Sequence, residues 1–312
     1  MSNILVPLDG SFKDERAIPA ATSFADLARA DLRLIRVFDT PVDSLSSRAG
    51  TLGVKDAAIE LKGDIERSVR GIADRIIADT GFAVTAEVAE GFDVAGVLIS
   101  RAAEPGISLV VMGTEAAGAL GRVLRGSVAD RVMRESPRPV VLVPPGTDDI
   151  NRRDTKLRRV LVPLDGSDFA LSAVNQLLKL PGHGALEYVL LEVVTSGFPA
   201  GAPPGLAGLA DTTAPEALSR LPDIAQERAA AEARLANVAE ILRSQGATNV
   251  HVRVVEATDP AAAISRATRD EKVDFIAMST RGSSGLKRLV LGSVAEKVVR
   301  DSVVPVLLVT PR

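Results

Sequence analysis

The sequence predicts two tandem α/β domains, each a doubly wound parallel sheet covered by helices on both faces. Three observations point there. The hexapeptide VPLDGS occurs at Val6–Ser11 and again at Val162–Ser167, 156 positions apart. Short, continuous Val/Ile/Leu runs alternate with longer amphipathic segments through both halves, the pattern of strands buried on both faces between right-handed crossover helices. A chain of 312 residues is long enough for two domains of ordinary size. The boundaries fall at 1–146 and 157–312, joined by a polar linker at about 147–156 within PGTDDINRRDTK, which lacks apolar periodicity.

Each element has its own signal. ILVPL is a short buried strand, and the segment from Ser11 to about Ala30 is helical, with Pro19 forcing a kink or a late start. LRLIRVF reads as a strand, Val54 to Thr80 as a long helix, VTAEVAE as a strand and Asp93 to Ala103 as a helix. SLVVMG (strand), Ser127 to Glu135 (helix) and PVVLVP (strand) close the first half. The second half repeats the series with RVLVPL, YVLLEVV, a helix over Asp223–Ser244, VHVRVVE, a helix over Pro260–Arg269, DFIAMS, a helix over Ser293–Asp301 and PVLLVT.

The halves align throughout. Asp9 pairs with Asp165 and Val37 with Val193 at an offset of 156, whereas Asp93 pairs with Asp259 and Gly126 with Gly292 at 166. The difference of 10 residues lies between Val193 and Asp259, in a Gly/Pro/Ala-rich stretch centred on 196–215. That composition suits a loop insertion, whether a lid, a partner surface or a disordered segment.

Composition narrows the function. With 37 basic and 40 acidic residues, the net charge of −3 gives no electrostatic reason to bind nucleic acid. Aromatics make up only 3%, so bases would find few rings to stack on. There is no cysteine, which excludes disulfide, thiolate and Cys–zinc chemistry. MSNILVPLDG has no basic leader and breaks at Asp9, and no apolar run reaches the length of a membrane span. The expectation is a cytoplasmic protein with no membrane or nucleic-acid partner. His183 in a turn and His251 at a strand start are isolated, which is a poor basis for a metal site.

In an open parallel sheet, ligands bind beyond the carboxyl ends of the strands, where the strand order reverses. Asp9 and Asp165 end the first strand of each half. The fourth strands end at Met112-Gly113 and Met278-Ser279, each followed by a glycine-containing loop and then Gly126-Ser127 or Gly292-Ser293 at a helix start. Small loop residues permit close approach of a ligand, and free N–H groups at a helix start suit phosphate. The bland alternative is that Asp-Gly-Ser and Gly-Ser are only turns and caps.

Together these residues resemble the universal stress protein family. Ser279-Thr-Arg-Gly282, nine residues, then Gly292-Ser293 is similar to its G-x2-G-x9-G-[S/T] signature, and VPLDGS and PVLLV also match. The resemblance covers both halves. It implies a five-stranded 3-2-1-4-5 sheet in each, pairing of the halves through their last strands as an intrachain pseudo-dimer, and ATP as ligand in many members. It further implies that Asp9 and Asp165 accept from ribose hydroxyls. The backbone of Val37 and Val193 would read the adenine edge near Pro7 and Pro163. Met112, Gly113 and Ala116, with Met278, Ser279 and Gly282, would line the ribose and phosphate loop. Gly126, Ser127 and Val128, with Gly292, Ser293 and Val294, would cradle the phosphates, to which Mg²⁺ could attach.

Two departures stand out: Ala116 replaces the second signature glycine in the first half, and Ser279 the first in the second half. The loops also differ in charge. Arg281, Lys287 and Arg288 lie in the second, whereas Glu115 precedes Arg122 and Arg125 in the first, so the second site is expected to bind ATP better.

The leading expectation is a nucleotide-dependent regulatory protein of the stress response. An unidentified protein partner and a further homodimer are both compatible with it. The alternatives are a slow Mg²⁺-dependent ATPase and a member that has lost nucleotide binding. No GxxxxGK[ST] loop or evident general base supports strong catalysis. A phosphoacceptor receiver domain would need clustered acids after strand one and a lysine after strand five, where VPPG and VTPR stand instead.

Overall fold

Strand formation follows from the apolar runs, because alternate side chains feed two cores. In β1 (Asn3–Pro7), Ile4 and Val6 pack on one face of the sheet and Leu5 on the other. In β6 (Arg159–Leu164), Val160 and Val162 do the same against Leu161. The computed structural model describes residues 2–11, 16–38, 54–114, 128–145, 147, 156–195, 224–280 and 291–310, with the backbone alone at 54–58.

After β1 come α1 (Ala17–Ala28), β2 (Asp31–Phe38), α2 (Val54–Thr80), β3 (Val84–Glu90), α3 (Val94–Ala103), β4 (Ile107–Gly113), α4 (Val128–Glu135) and β5 (Val140–Val143). After β6 come α5 (Leu171–Leu178), β7 (Glu187–Val194), α6 (Ile224–Ser244), β8 (Asn249–Glu256), α7 (Pro260–Asp270), β9 (Phe275–Ser279), α8 (Ser293–Asp301) and β10 (Val306–Val309).

Pro19 explains the late start of α1. It lies in the first turn, where its missing N–H costs nothing, and its carbonyl accepts from the Thr22 and Ser23 hydroxyls at 2.8 Å each. α5 and a 3₁₀ turn at His183–Ala185 add to the elements expected for the second half. The insertion at 196–215 and the linker, apart from Thr147 and Lys156 at its two ends, lie outside the described residues.

All ten strands form one sheet in the order β3-β2-β1-β4-β5-β10-β9-β6-β7-β8. Each half contributes a parallel 3-2-1-4-5 arrangement. The halves join where β5 and β10 pair antiparallel, with Val141 opposite Leu307. The two sheets expected from sequence are thus continuous through their last strands. Both cores also cross the junction: Phe24 of α1 meets Phe275 of β9 edge-on, with ring centroids 5.1 Å apart. The N–H of Gly182 donates to Leu27 O at 2.9 Å, tying the α1 end to the second half.

On the other face, helix starts are tied to their neighbours in the same way twice. Asp93 caps α3 by accepting from Gly96 N at 3.0 Å and pairs with Arg131 of α4 at 2.6 Å. Asp259 caps α7 by accepting from Ala262 N at 3.2 Å and pairs with Lys297 of α8. Among the described residues, no helix is long and apolar enough to cross a membrane.

Candidate functional site

In the second half, the carboxyl ends of β6, β7 and β9 and the starts of α7 and α8 enclose a cavity of about 570 Å³. That volume lies within the range of small-molecule sites. Pro163, Asp165, Val193, Met278, Ser279, Gly292, Ser293 and Val294 all line it. These are all the residues singled out from sequence in this half except Gly282, which lies outside the described residues. Leu191 and Ile264 add apolar wall, and Glu192, Thr195, Glu227 and Thr280 add polar groups.

The strand-one turn is built by the Asp-Gly-Ser sequence itself. Asp165 Oδ1 accepts from the Ser167 N–H at 3.1 Å and from its hydroxyl at 2.6 Å, while Gly166 takes φ +76°. The hydroxyl oxygen of Ser167 then accepts from Ala170 N at 3.2 Å, leading into α5. Asp9 Oδ1 accepts from Ser11 N at 2.6 Å, and Gly10 takes φ +85°. The turn reading and the cavity reading therefore both hold for Asp165: its carboxylate shapes the turn and lines the cavity.

At the opposite end, Thr280 N donates to Val309 O and Gly292 N donates to Thr280 O, each at 2.9 Å, which pins both sides of the loop. Gly292 is the N-cap of α8 and Ser293 its first residue, so no side chain caps this helix. The first N–H groups of α8 have no intrahelical partner and carry the positive end of the helix dipole toward the cavity. An anion is the natural ligand there.

In the first half, Pro7, Asp9, Val37, Met112, Gly113 and Val128 occupy the matching ends of β1, β2, β4 and α4. Thr114 N donates to Val143 O at 2.9 Å, the counterpart of the Thr280 bond. Ala116, Gly126 and Ser127 lie outside the described residues.

Sequence reasoning missed a charged cluster beside Asp165. Glu192 is only 5% exposed, and Arg234 of α6 holds it with Nη2 at 2.5 Å and Nε at 3.2 Å. Arg234 also reaches Glu227 at 3.0 Å, and these bonds, the one to Glu192 first, raise its pKa. Its guanidinium packs on the turn: a Cβ added to Gly166 would sit 3.0 Å from Arg234 Nε. The available signal was the offset of 156, which sets Arg36 opposite Glu192.

Fold and cavity define the class first: a tandem doubly wound α/β protein with a ligand-sized crevice at the carboxyl edge of its sheet. The sequence model of the universal stress protein family matches residues 1–144 and again 156–310. The chain belongs to that family. A universal stress protein of Mycolicibacterium smegmatis is 27% identical over 311 residues, covering 99% of this chain and 97% of the relative. One from Methanocaldococcus jannaschii is 29% identical over 161 residues, which is 51% of this chain and 86% of that protein. The crystal structure of a universal stress protein from Archaeoglobus fulgidus shares the fold, with a TM-score of 0.61, 20% identity, and coverage of 99% and 98% of the two chains.

Proposed function

We propose that the protein binds ATP in each half and acts in the cytoplasm as a nucleotide-dependent regulatory protein of the stress response. The observation that carries this reading is the second-half cavity, where an apolar wall, a carboxylate turn and an uncapped helix start face one space of about 570 Å³. Adenine would lie on the apolar wall with its edge against the Val193 backbone. Asp165 would accept from the ribose hydroxyls, Ser293 and Val294 would receive the phosphates on backbone N–H groups, and Gly292, whose own N–H goes to Thr280 O, would line the same cradle. Asp9, Val37 and the 126–128 segment would do the same in the first half. Among the described residues no group of three or more His, Asp or Glu is placed to hold a metal ion. Mg²⁺ would attach through the phosphates.

The second site is the tighter one, because Arg281, Lys287 and Arg288 in its loop favour a polyphosphate and Glu115 in the first disfavours it. Mass spectrometry of ligand released from the purified, denatured protein, followed by calorimetric titration with ATP, tests this reading. The expected result is an adenine nucleotide and two unequal binding events. Two equal sites would overturn the ranking, and no binding would overturn the function.

A further inference from the structure

One arginine joins the two strand ends to which the nucleotide reading assigns adenine and ribose. Leu164 pairs with Glu192 across β6 and β7, and the next residues along are Asp165 and Val193. From α6, Arg234 donates to Glu192 through Nη2 at 2.5 Å and Nε at 3.2 Å, and to Glu227 through Nη2 at 3.0 Å. The same side chain covers the Asp165–Gly166–Ser167 turn. The three atoms nearest to where a Gly166 Cβ would stand all belong to Arg234: Nε at 3.0 Å, Cδ at 3.2 Å and Cζ at 3.6 Å.

The turn gains from that brace. Asp165 and Gly166 are exposed, and the bonds from Ser167 to Asp165 and from Ala170 to Ser167 reach no further than three residues. Such bonds shape the turn without tying it to β7. Glu192, by contrast, is nearly buried and fixed by the sheet ladder. A planar guanidinium held by it through two bonds keeps one orientation, and so ties the turn to β7.

This contact is not a simple copy left by the duplication. In the first half the glycine of the matching turn, Gly10, also takes positive φ and also meets a guanidinium, but that of Arg36 on β2. The offset of 156 sets Glu192, not an arginine, opposite Arg36. Each half braces its turn with an arginine from a different element.

Arg234 is not among the residues lining the cavity, so it can act on a ligand only through the turn. A hydrogen bond from a ribose hydroxyl depends steeply on where the accepting carboxylate stands. We infer that Arg234 is a positioning residue of the second-half site: held by Glu192, it fixes the Asp165 carboxylate relative to the Val193 backbone and so sets the preference for a nucleotide carrying its ribose hydroxyls. This rests on the nucleotide reading above and adds the residue that sets ribose selectivity.

The test is calorimetric titration of the full chain with ATP and with 2′,3′-dideoxy-ATP, which lacks both ribose hydroxyls, for the wild type, Arg234→Met and Arg234→Lys. Thermal melts establish that each variant is folded. Arg234→Lys keeps a cation against Glu192 should Arg234→Met leave that carboxylate too costly to bury, yet it lacks the planar fork. In the wild type both binding events are expected to favour ATP at least about tenfold. In each variant one event falls to a preference of about threefold or less, through weaker ATP binding at unchanged dideoxy-ATP binding, and the other event keeps its preference. A merely structural role would weaken both nucleotides alike and leave the ratio as it was. A retained ratio, equal weakening of both nucleotides, or loss of preference in both events would overturn the inference while the ATP reading stands. A wild type that binds no ATP would overturn that reading, and this inference with it.

Discussion

At the residue scale, the VPLDGS turn joins local structure to the site. Gly166 sits at φ +76° with Arg234 Nε 3.0 Å from where a Cβ would be. Gly166→Ala meets both the left-handed penalty and that side chain. It should cost about 1–2 kcal/mol of stability in denaturant titration, and an unchanged midpoint would contradict the packing described. Glu192→Ala exposes a different weakness, leaving Arg234 with Glu227 alone and a gap beneath the cavity. It should destabilise the fold more than Glu227→Ala, whose carboxylate is about half exposed. Equal effects would argue against Glu192 as the main anchor.

Asp9 and Asp165 were legible in the sequence because the repeat printed them twice at a strand end. Glu192 and Arg234 were not, since they lie 42 positions apart on different elements, β7 and α6. A glutamate inside YVLLEVV reads only as an interruption of a buried strand until α6 brings its partner.

At the element scale, the paired helix starts set a pH dependence. The Asp93 pKa is lowered by Arg131 first and then by the Gly96 N–H. That of Asp259 is lowered by Lys297 first and then by the Ala262 N–H. A carboxyl with a depressed folded pKa contributes its stability above the ordinary aspartate value of 3.8 and loses it as pH falls through the lower folded value. Asp93→Asn with Asp259→Asn keeps both caps but removes both charges. The double variant should show a shallower loss of melting temperature below about pH 4 than the wild type. Parallel acid profiles would contradict the assignment.

Element positions were largely readable from apolar runs and from Pro19. α5 was not named because NQ and K break its short pattern in LSAVNQLLK, and the 3₁₀ turn at His183–Ala185 has no periodicity to read.

At the scale of the whole molecule, the ten strands form one sheet and both cores run through the β5–β10 junction. The halves should therefore unfold together. Calorimetry is expected to show a single transition, and Phe24→Ala, which removes the ring against Phe275 across the junction, should lower it by about 3–5 kcal/mol of stability. Two resolved transitions would contradict a shared core. Only the order within each half and the pairing through last strands could be anticipated, and both came through the family resemblance. Spacing alone cannot say which edge strands meet.

The central claim is that the uncapped start of α8 receives the phosphates of a nucleotide. Ser293→Glu puts a carboxylate at the first helical position, where it competes for the same N–H groups and repels phosphate while remaining compatible with the helix. Calorimetric titration with ATP should show the tighter of two binding events weakened at least about tenfold in this variant and the weaker one retained. A tighter event unchanged from the wild type would place the nucleotide elsewhere and contradict the account.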